Sequence, residues 1–245
     1  MLYEMPTEQA LNATMPITPQ IYRILRERIV KNDLKPGNRI SESEIARGYG
    51  VSRQPVREAF IKLAEQGLLA VLPQRGTIIS KIAYSQVLDA RFLREAIEAD
   101  IIKILASDPD PALIAALRSQ LDAQKKAARR SPEEFIQLDE TFHLTLADGA
   151  GKRGAWRLIE GLKSQMDRVR FLSLAQFPLD KLINQHAAII EGIASGNIPS
   201  AESAIRLHLR EVLADLPEIQ KAHPEFFDLP AGKRPQPVNA PIQGG

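Results

Sequence analysis

Cysteine is absent from this 245-residue chain, histidine occurs four times and tryptophan once. The missing thiols exclude a disulfide framework, thiolate metal sites and a cysteine nucleophile, and they agree with a reducing compartment. No apolar run approaches the roughly 18 residues of a membrane span. The opening residues carry Glu4 and Glu8 and lack the basic start and apolar stretch of a secretory signal. The chain therefore reads as cytoplasmic and without a membrane partner. Net charge is only +2, so the average composition points to no partner of either sign. What is present, 44% hydrophobic and 25% charged residues, is the composition of an ordinary globular protein long enough for two domains.

Charge and periodicity divide the chain into a flexible leader (1–16), a basic segment (17–82), a helical segment (83–216) and a tail (217–245). Residues 17–82 hold 12 Lys/Arg against 6 Asp/Glu, whereas 83–216 hold 17 against 19, so the first domain is the one suited to a polyanion. The tail contains Pro217, Pro224, Pro230, Pro235, Pro237 and Pro241 and shows no helix or strand period, which predicts disorder.

In 17–82, Thr18-Pro19 starts a helix whose stripe is Ile21, Leu25 and Ile29. Ser41-Glu42-Ser43-Glu44 fits a capping box opening a second, short helix closed by Gly50. Ser52 caps a third, with Val56, Phe60 and Leu63 inward, ending at Gly67. Two strands, 68–72 and 77–82, then flank Pro73-Gln74-Arg75-Gly76. Three helices and a hairpin predict a winged helix-turn-helix. The first turn of its third helix carries Ser52, Arg53, Gln54 and Arg57. Arg can donate two bonds to guanine, Gln can pair with adenine, and Ser52 at the helix N-terminus suits a phosphate. Arg75 beside Gly76 at the hairpin tip is placed for a minor groove or the backbone. Any one of these arginines alone would read equally as a solvated surface group; the combination points to double-stranded DNA.

From Tyr84 onward the pattern is helical in six segments, about 84–106, 109–130, 132–148, 153–174, 179–195 and 199–216, separated by turn residues that include Phe177-Pro178. This predicts a mainly α protein whose second domain is an antiparallel six-helix bundle able to enclose a ligand. Asp139 and His143, four apart, put a carboxylate and an imidazole on one helix face. His186 and His208 lie on the last two helices among apolar neighbours. If they converge, one carboxylate and three imidazoles suit Zn, Ni, Mn, Co or Fe, with one or two positions open. By spacing alone the favoured reading is that they are core histidines. His223 is excluded as a solvated residue of the tail.

The segment 19–80, with Gly50-Val51-Ser52-Arg53-Gln54-Pro55-Val56-Arg57-Glu58-Ala59 and Arg75-Gly76-Thr77, resembles the DNA-binding domain of GntR-type bacterial transcriptional regulators. The resemblance implies DNA contacts at Ser52, Arg53, Gln54, Arg57 and Gly76. The segments around Asp139–His143, Gln185–Ile193 and Ala204–Leu209 look like the metal-ligand segments of the FCD effector domain found in the FadR branch. Expected helix number places the chain nearest its vanillate-regulator-like subgroup. The likeness implies a divalent metal on Asp139, His143, His186 and His208, with an organic acid completing its coordination. Arg94, four residues before Glu98, matches an arginine of that family and suits a carboxylate clamp or an i, i+4 salt bridge. Arg168 and Arg170 are further candidates for the same pocket.

The expectation is a homodimeric regulator, not an enzyme. It would bind a near-palindromic operator and act as a repressor released by a small carboxylic acid. Two alternatives are a bundle serving only for dimerisation and structural metal, and a metalloenzyme fused to a DNA-binding head.

Overall fold

The computed structural model describes residues 11–173 and 179–229. Within them the chain is mainly helical and forms two compact units. The first runs to Ala83 and includes His223–Leu229; the second begins at Tyr84 and runs through Ala222. The break at Phe177-Pro178 lies outside the described residues.

The first unit holds α1 (Ile17–Val30), α2 (Glu42–Tyr49) and α3 (Arg53–Glu65) around a core of Ile21, Leu25, Ile29, Ile45, Val56, Phe60 and Leu63. Each inward residue falls at the helical spacing expected of one apolar face. The wing has three strands: β1 (Arg39–Ile40) and β2 (Leu69–Leu72) flank β3 (Gly76–Ile79), all antiparallel. The hairpin was expected; β1, two residues long, was not. At the tip, Gln74 and Gly76 take φ of 59° and 86°, so the glycine supplies the left-handed backbone without strain.

Three local expectations change. The leader 1–16 was expected to be flexible, yet 11–16 form a turn tied to α1. Gln20 accepts from Asn12 N at 2.8 Å and donates to the carbonyls of Asn12, Met15 and Pro16. The Ser41 capping box does not form, because the Ser41 hydroxyl pairs with Ser43 Oγ at 2.8 Å instead of capping α2. The tail does not begin at 217. A helix runs through Pro217 to Ala222, because Leu213, Leu216 and Ile219 continue its buried stripe and outweigh the hydrogen bond that proline removes. The chain then makes a single 3-10 turn, Pro224–Phe226, and a strand, β5 (Phe227–Asp228). This pairs in parallel with β4 (Ile82–Ala83), Phe227 opposite Ile82. Residues 230–245 lie outside the described residues.

The second unit contains α4 (Tyr84–Ser107), α5 (Pro111–Arg130), α6 (Pro132–Gly149), α7 (Arg153–Leu162), α8 (Ser164–Ser173), α9 (Asp180–Ala194) and α10 (Ile198–Ala222). Starts are marked chemically: Asp110 accepts from Ala112 N at 2.8 Å, Ser131 from Glu134 N at 3.2 Å, and each precedes a proline at the first helical position. Among the described residues there are seven helices instead of six, because the expected segment 153–174 breaks at Lys163. The break turns the buried Lys163 ammonium onto Asp167 and Glu140, both at 2.8 Å. The subgroup expectation rested on a six-helix count, which this break removes. Two devices fix the helices that carry the site. Gly192 of α9 lies so close to α10 that a Cβ there would stand 2.6 Å from Ala201 Cα. Glu95 of α4 is buried against Arg206 and Arg210 of α10, each at 3.0 Å.

Candidate metal centre and nucleic-acid interface

α6, α9 and α10 bring Asp139, His143, His186 and His208 together, all buried, with one ligand atom of each within 4.8 Å of the others. His143 Nε2 is 3.1 Å and His186 Nε2 is 3.3 Å from His208 Nε2, and Asp139 Oδ1 is 3.4 Å from His186 Nε2. Donor atoms held about 2.0–2.2 Å from one cation are separated by about 3.0–3.5 Å, so these three edges match a coordination polyhedron. The fourth, His143 Nε2 to Asp139 Oδ2, is longer at 3.9 Å.

Outer partners decide which nitrogen faces inward. Gln185 donates through Nε2 to Glu211 at 2.8 Å, so its Oε1 accepts from His208 Nδ1 at 3.1 Å. Gln124 donates to the Leu138 carbonyl at 3.3 Å and accepts from His186 Nδ1 at 2.7 Å. His143 Nδ1 is 2.6 Å from Glu98 Oε2, while Glu98 Oε1 accepts from Arg94 Nε at 2.6 Å. Each ring thus has Nδ1 against an acceptor and its Nε2 lone pair directed into the cluster, the arrangement seen where outer residues orient metal-binding histidines.

Electrostatics agree with neutral His186 and His208 facing a carboxylate. Burial pushes the His186 pKa down to about 3 and holds His208 well below its ordinary value. Burial opposes ionisation of Asp139, but Arg170 and the imidazoles outweigh it and keep the carboxyl far below the usual range. For Glu98 burial is likewise outweighed, by Arg94 and His143, and the pKa falls to about 2. Asp139 Oδ1 is buried and receives no hydrogen bond. Three lone pairs and an anionic oxygen buried and pointing at one another without a shared side-chain donor repel unless a cation joins them. The residues fit a divalent metal.

Beside the cluster lies a cavity of about 80 Å³. Asp139, His208, Arg94 and Arg170 reach it, and much of the remaining wall is apolar. Arg94 makes the i, i+4 bond to Glu98 and also lines the cavity, with Nη2 buried and lacking a hydrogen-bond partner. Arg170 is 2.5 Å from Asp139 Oδ2 and 2.9 Å from Glu140 Oε1. Arg168, expected at the same pocket, does not line it. Two positions along a helix turn the side chain by about 200°, so Arg168 and Arg170 leave α8 on opposite sides. Arg168 is buried elsewhere, and burial lowers its pKa to about 10.

In the first unit, Ser52, Arg53, Gln54 and Arg57 are all exposed along the first turns of α3, and Arg75 and Gly76 are exposed at the wing tip. Gln54 donates to Glu58 at 3.1 Å, and Arg53 lies 3.6 Å from Glu42. Sequence reasoning missed Gln124, Gln185, Glu211 and Asp215. The signal for Gln124 was present: it continues the Ile114, Leu117, Leu121 stripe of α5, where an amide is out of place unless it has a buried partner.

Residues 17–79 match the family described as bacterial regulatory proteins, gntR family, and 89–211 match the FCD domain. The chain is 39% identical over 225 residues to the HTH-type transcriptional repressor RspR of Escherichia coli (strain K12), covering 91% of this chain and 99% of that one. It is 38% identical over 216 residues to an HTH-type transcriptional regulator in an unstable DNA locus of Streptomyces ambofaciens, covering 88% and 91%. The fold is similar to that of E. coli McbR/YncC, with a TM-score of 0.70 at 19% identity over 83% of this chain and 98% of the other. A putative GntR regulator from Rhodococcus sp. RHA1 gives 0.63 at 24% identity, over 84% and 98%.

A winged helix-turn-helix joined to this helical domain defines a DNA-binding transcriptional regulator. The chain belongs to the gntR family of bacterial regulatory proteins and carries an FCD domain. These families and relatives are regulators of transcription and not enzymes, which removes the metalloenzyme alternative. Among the described residues no helix is long and apolar enough to cross a membrane.

Proposed function

We propose that this regulator is a homodimeric repressor released from a near-palindromic operator when a small carboxylic acid binds at a divalent metal in its FCD domain. The observation that carries the reading is the convergence of three Nε2 lone pairs and Asp139 Oδ1, each histidine backed by an outer acceptor, beside a cavity lined by Arg94, whose Nη2 has no hydrogen-bond partner. Asp139, His143, His186 and His208 would hold the ion, which supplies positive charge and open positions for carboxylate oxygens. Arg94 Nη2 donates to the same carboxylate, and Arg170 holds Asp139 ionised. In the head, Arg53, Gln54 and Arg57 read base edges, while Ser52, Arg75 and the Gly76 backbone contact phosphate or minor groove. A two-fold dimer presents two such heads to two half-sites. The sign of regulation is supported by relatives named repressors, RspR and a probable D-xylose utilization operon repressor from Paenarthrobacter nicotinovorans.

An acid acts only if it binds one head arrangement better than the other, a coupling of typically about 5–150-fold in DNA affinity. The test measures metal content by mass spectrometry and operator affinity by fluorescence anisotropy, with and without a panel of carboxylic acids. One metal per chain, lost in His208→Ala, and acid-weakened DNA binding are expected. Metal-loaded protein whose DNA affinity ignores every acid would reduce the bundle to a dimerisation and structural-metal module.

A further inference from the structure

The cavity beside the metal cluster has two polar ends. Along α10 its wall is formed by His208, Leu209, Glu211, Val212, Asp215 and Ile219, and all but Leu209 fall at spacings of one helix face. Seven residues from His208 to Asp215 carry the wall about 10 Å along the helix axis. Much of the remaining lining is apolar, with Phe135, Ile136 and Leu182 among it. At the cluster end, Arg94 Nη2 is a buried donor without an acceptor. At the other end the two acids differ. Glu211 is satisfied: Lys181 pairs with it, and Gln185 donates to Oε2 at 2.8 Å. Asp215 is half-buried and makes no hydrogen bond or ion pair among the described residues, with the charges of Glu211 and Lys181 acting on it in opposite senses. A half-buried carboxylate that lines the cavity with no side-chain partner among the described residues is open to a donor brought by a ligand.

Resting on the carboxylate reading above, we propose that the effector is a bipolar acid: its carboxylate meets the Arg94 end, and a hydrogen-bond donor at its far end, an ammonium in preference to a hydroxyl, is taken by Asp215. The separation of the two ends accommodates about four to six carbons between the polar groups. A second carboxylate at the far end is disfavoured by the like charge of Asp215.

Four acids of equal chain length test this on metal-loaded, full-length protein by calorimetry: hexanoate, 6-hydroxyhexanoate, 6-aminohexanoate and adipate. The amino acid is expected to bind about tenfold tighter than hexanoate, with the hydroxy acid between them and adipate weakest. In Asp215→Asn the ratio of amino acid to hexanoate affinity is expected to fall toward one; the charge-neutral amide keeps the volume and the fold. Hexanoate or adipate bound as tightly as 6-aminohexanoate, or a preference untouched by Asp215→Asn, overturns the bipolar assignment while leaving a carboxylate sensor standing. Failure of all four acids to bind overturns the carboxylate reading and this inference with it.

Discussion

The Nε2 atoms of His143, on α6, and His208, on α10, stand 3.1 Å apart, each ring set by a partner on its other nitrogen. Without a cation this is an electrostatically poor arrangement, so the bound ion should stabilise the fold by mass action. At one hundred times its dissociation constant a ligand adds about 2.7 kcal/mol. Chelator-treated protein is expected to melt lower than metal-loaded protein and to recover on addition of Zn, Ni or Mn. Glu98→Gln weakens the acceptor behind His143 without touching the metal directly and is expected to cost about 10–100-fold in metal affinity. Competition with a chromophoric chelator measures this, and an unchanged affinity would show that Glu98 does not orient the ring.

Arg53 and Arg75 should fail differently. Arg53 pairs with Glu42 only at 3.6 Å, both partly in solvent, so its loss is expected to leave head stability nearly unchanged. If it reads a base, Arg53→Ala costs about 1–3 kcal/mol on the operator and less on a scrambled duplex. Arg75→Ala, if a backbone contact, weakens both duplexes alike and reduces the salt slope by about one. Anisotropy titrations at several salt concentrations separate the two, and equal losses on both duplexes for Arg53→Ala would move it from reading bases to holding the backbone.

Where the sequence was informative, a local chemical signal agreed with packing. Asp110-Pro111 and Ser131-Pro132 announce helices that begin at those prolines, and Gly50 ends α2 in the left-handed conformation its absent Cβ permits. Asp139 and His143 were visible because imidazoles are scarce in this chain and helical spacing leaves them few faces. The misses are cases where a distant partner decides. No breaker residue stands at Lys163, and the turn there is fixed by Glu140 on another helix. Pro217 looked like a terminus because its local penalty is plain in sequence, whereas the packing of Leu216 and Ile219 that offsets it is not. Arg168 and Arg170 could not be ranked until the rotation of α8 was known. Asp215 was invisible for the same reason: a helical carboxylate belongs to solvent or to a cavity according to what packs over it.

Asp215 also gives a pH dependence. Burial, with Glu211 adding and Lys181 opposing, raises its pKa from an ordinary aspartate value to about 6. Between roughly pH 4 and 6 the folded protein therefore binds more protons than the unfolded chain, so this group costs stability as pH rises through that window, and the whole cost is present above it. Because the side chain is about half in solvent, the penalty is discounted to about 1 kcal/mol. Asp215→Asn is expected to raise stability by that amount at pH 7.5 and by almost nothing near pH 4. Urea melts followed by Trp156 fluorescence report it; a variant less stable than the parent at neutral pH would mean that Asp215 has a partner in the free protein.

The short strand β5 makes a prediction about the first unit. Phe226 and Phe227 are 8% and 2% exposed, and Phe227 pairs with Ile82, itself fully buried. Removing a buried phenylalanine from a packed core costs about 3–5 kcal/mol, and a two-residue ribbon at the margin of a core should fall at or below the low end of that range. Phe227→Ala is thus expected to destabilise the DNA-binding unit by about 2–3 kcal/mol. The single tryptophan, Trp156, lies in the core of the other unit, so its fluorescence follows that unit while amide exchange at Ile79 and Ile82 follows the head. Faster exchange at those amides with a nearly constant tryptophan transition is the expected result. Unchanged protection of Ile82 would show that the head holds its last strand without help from beyond α10.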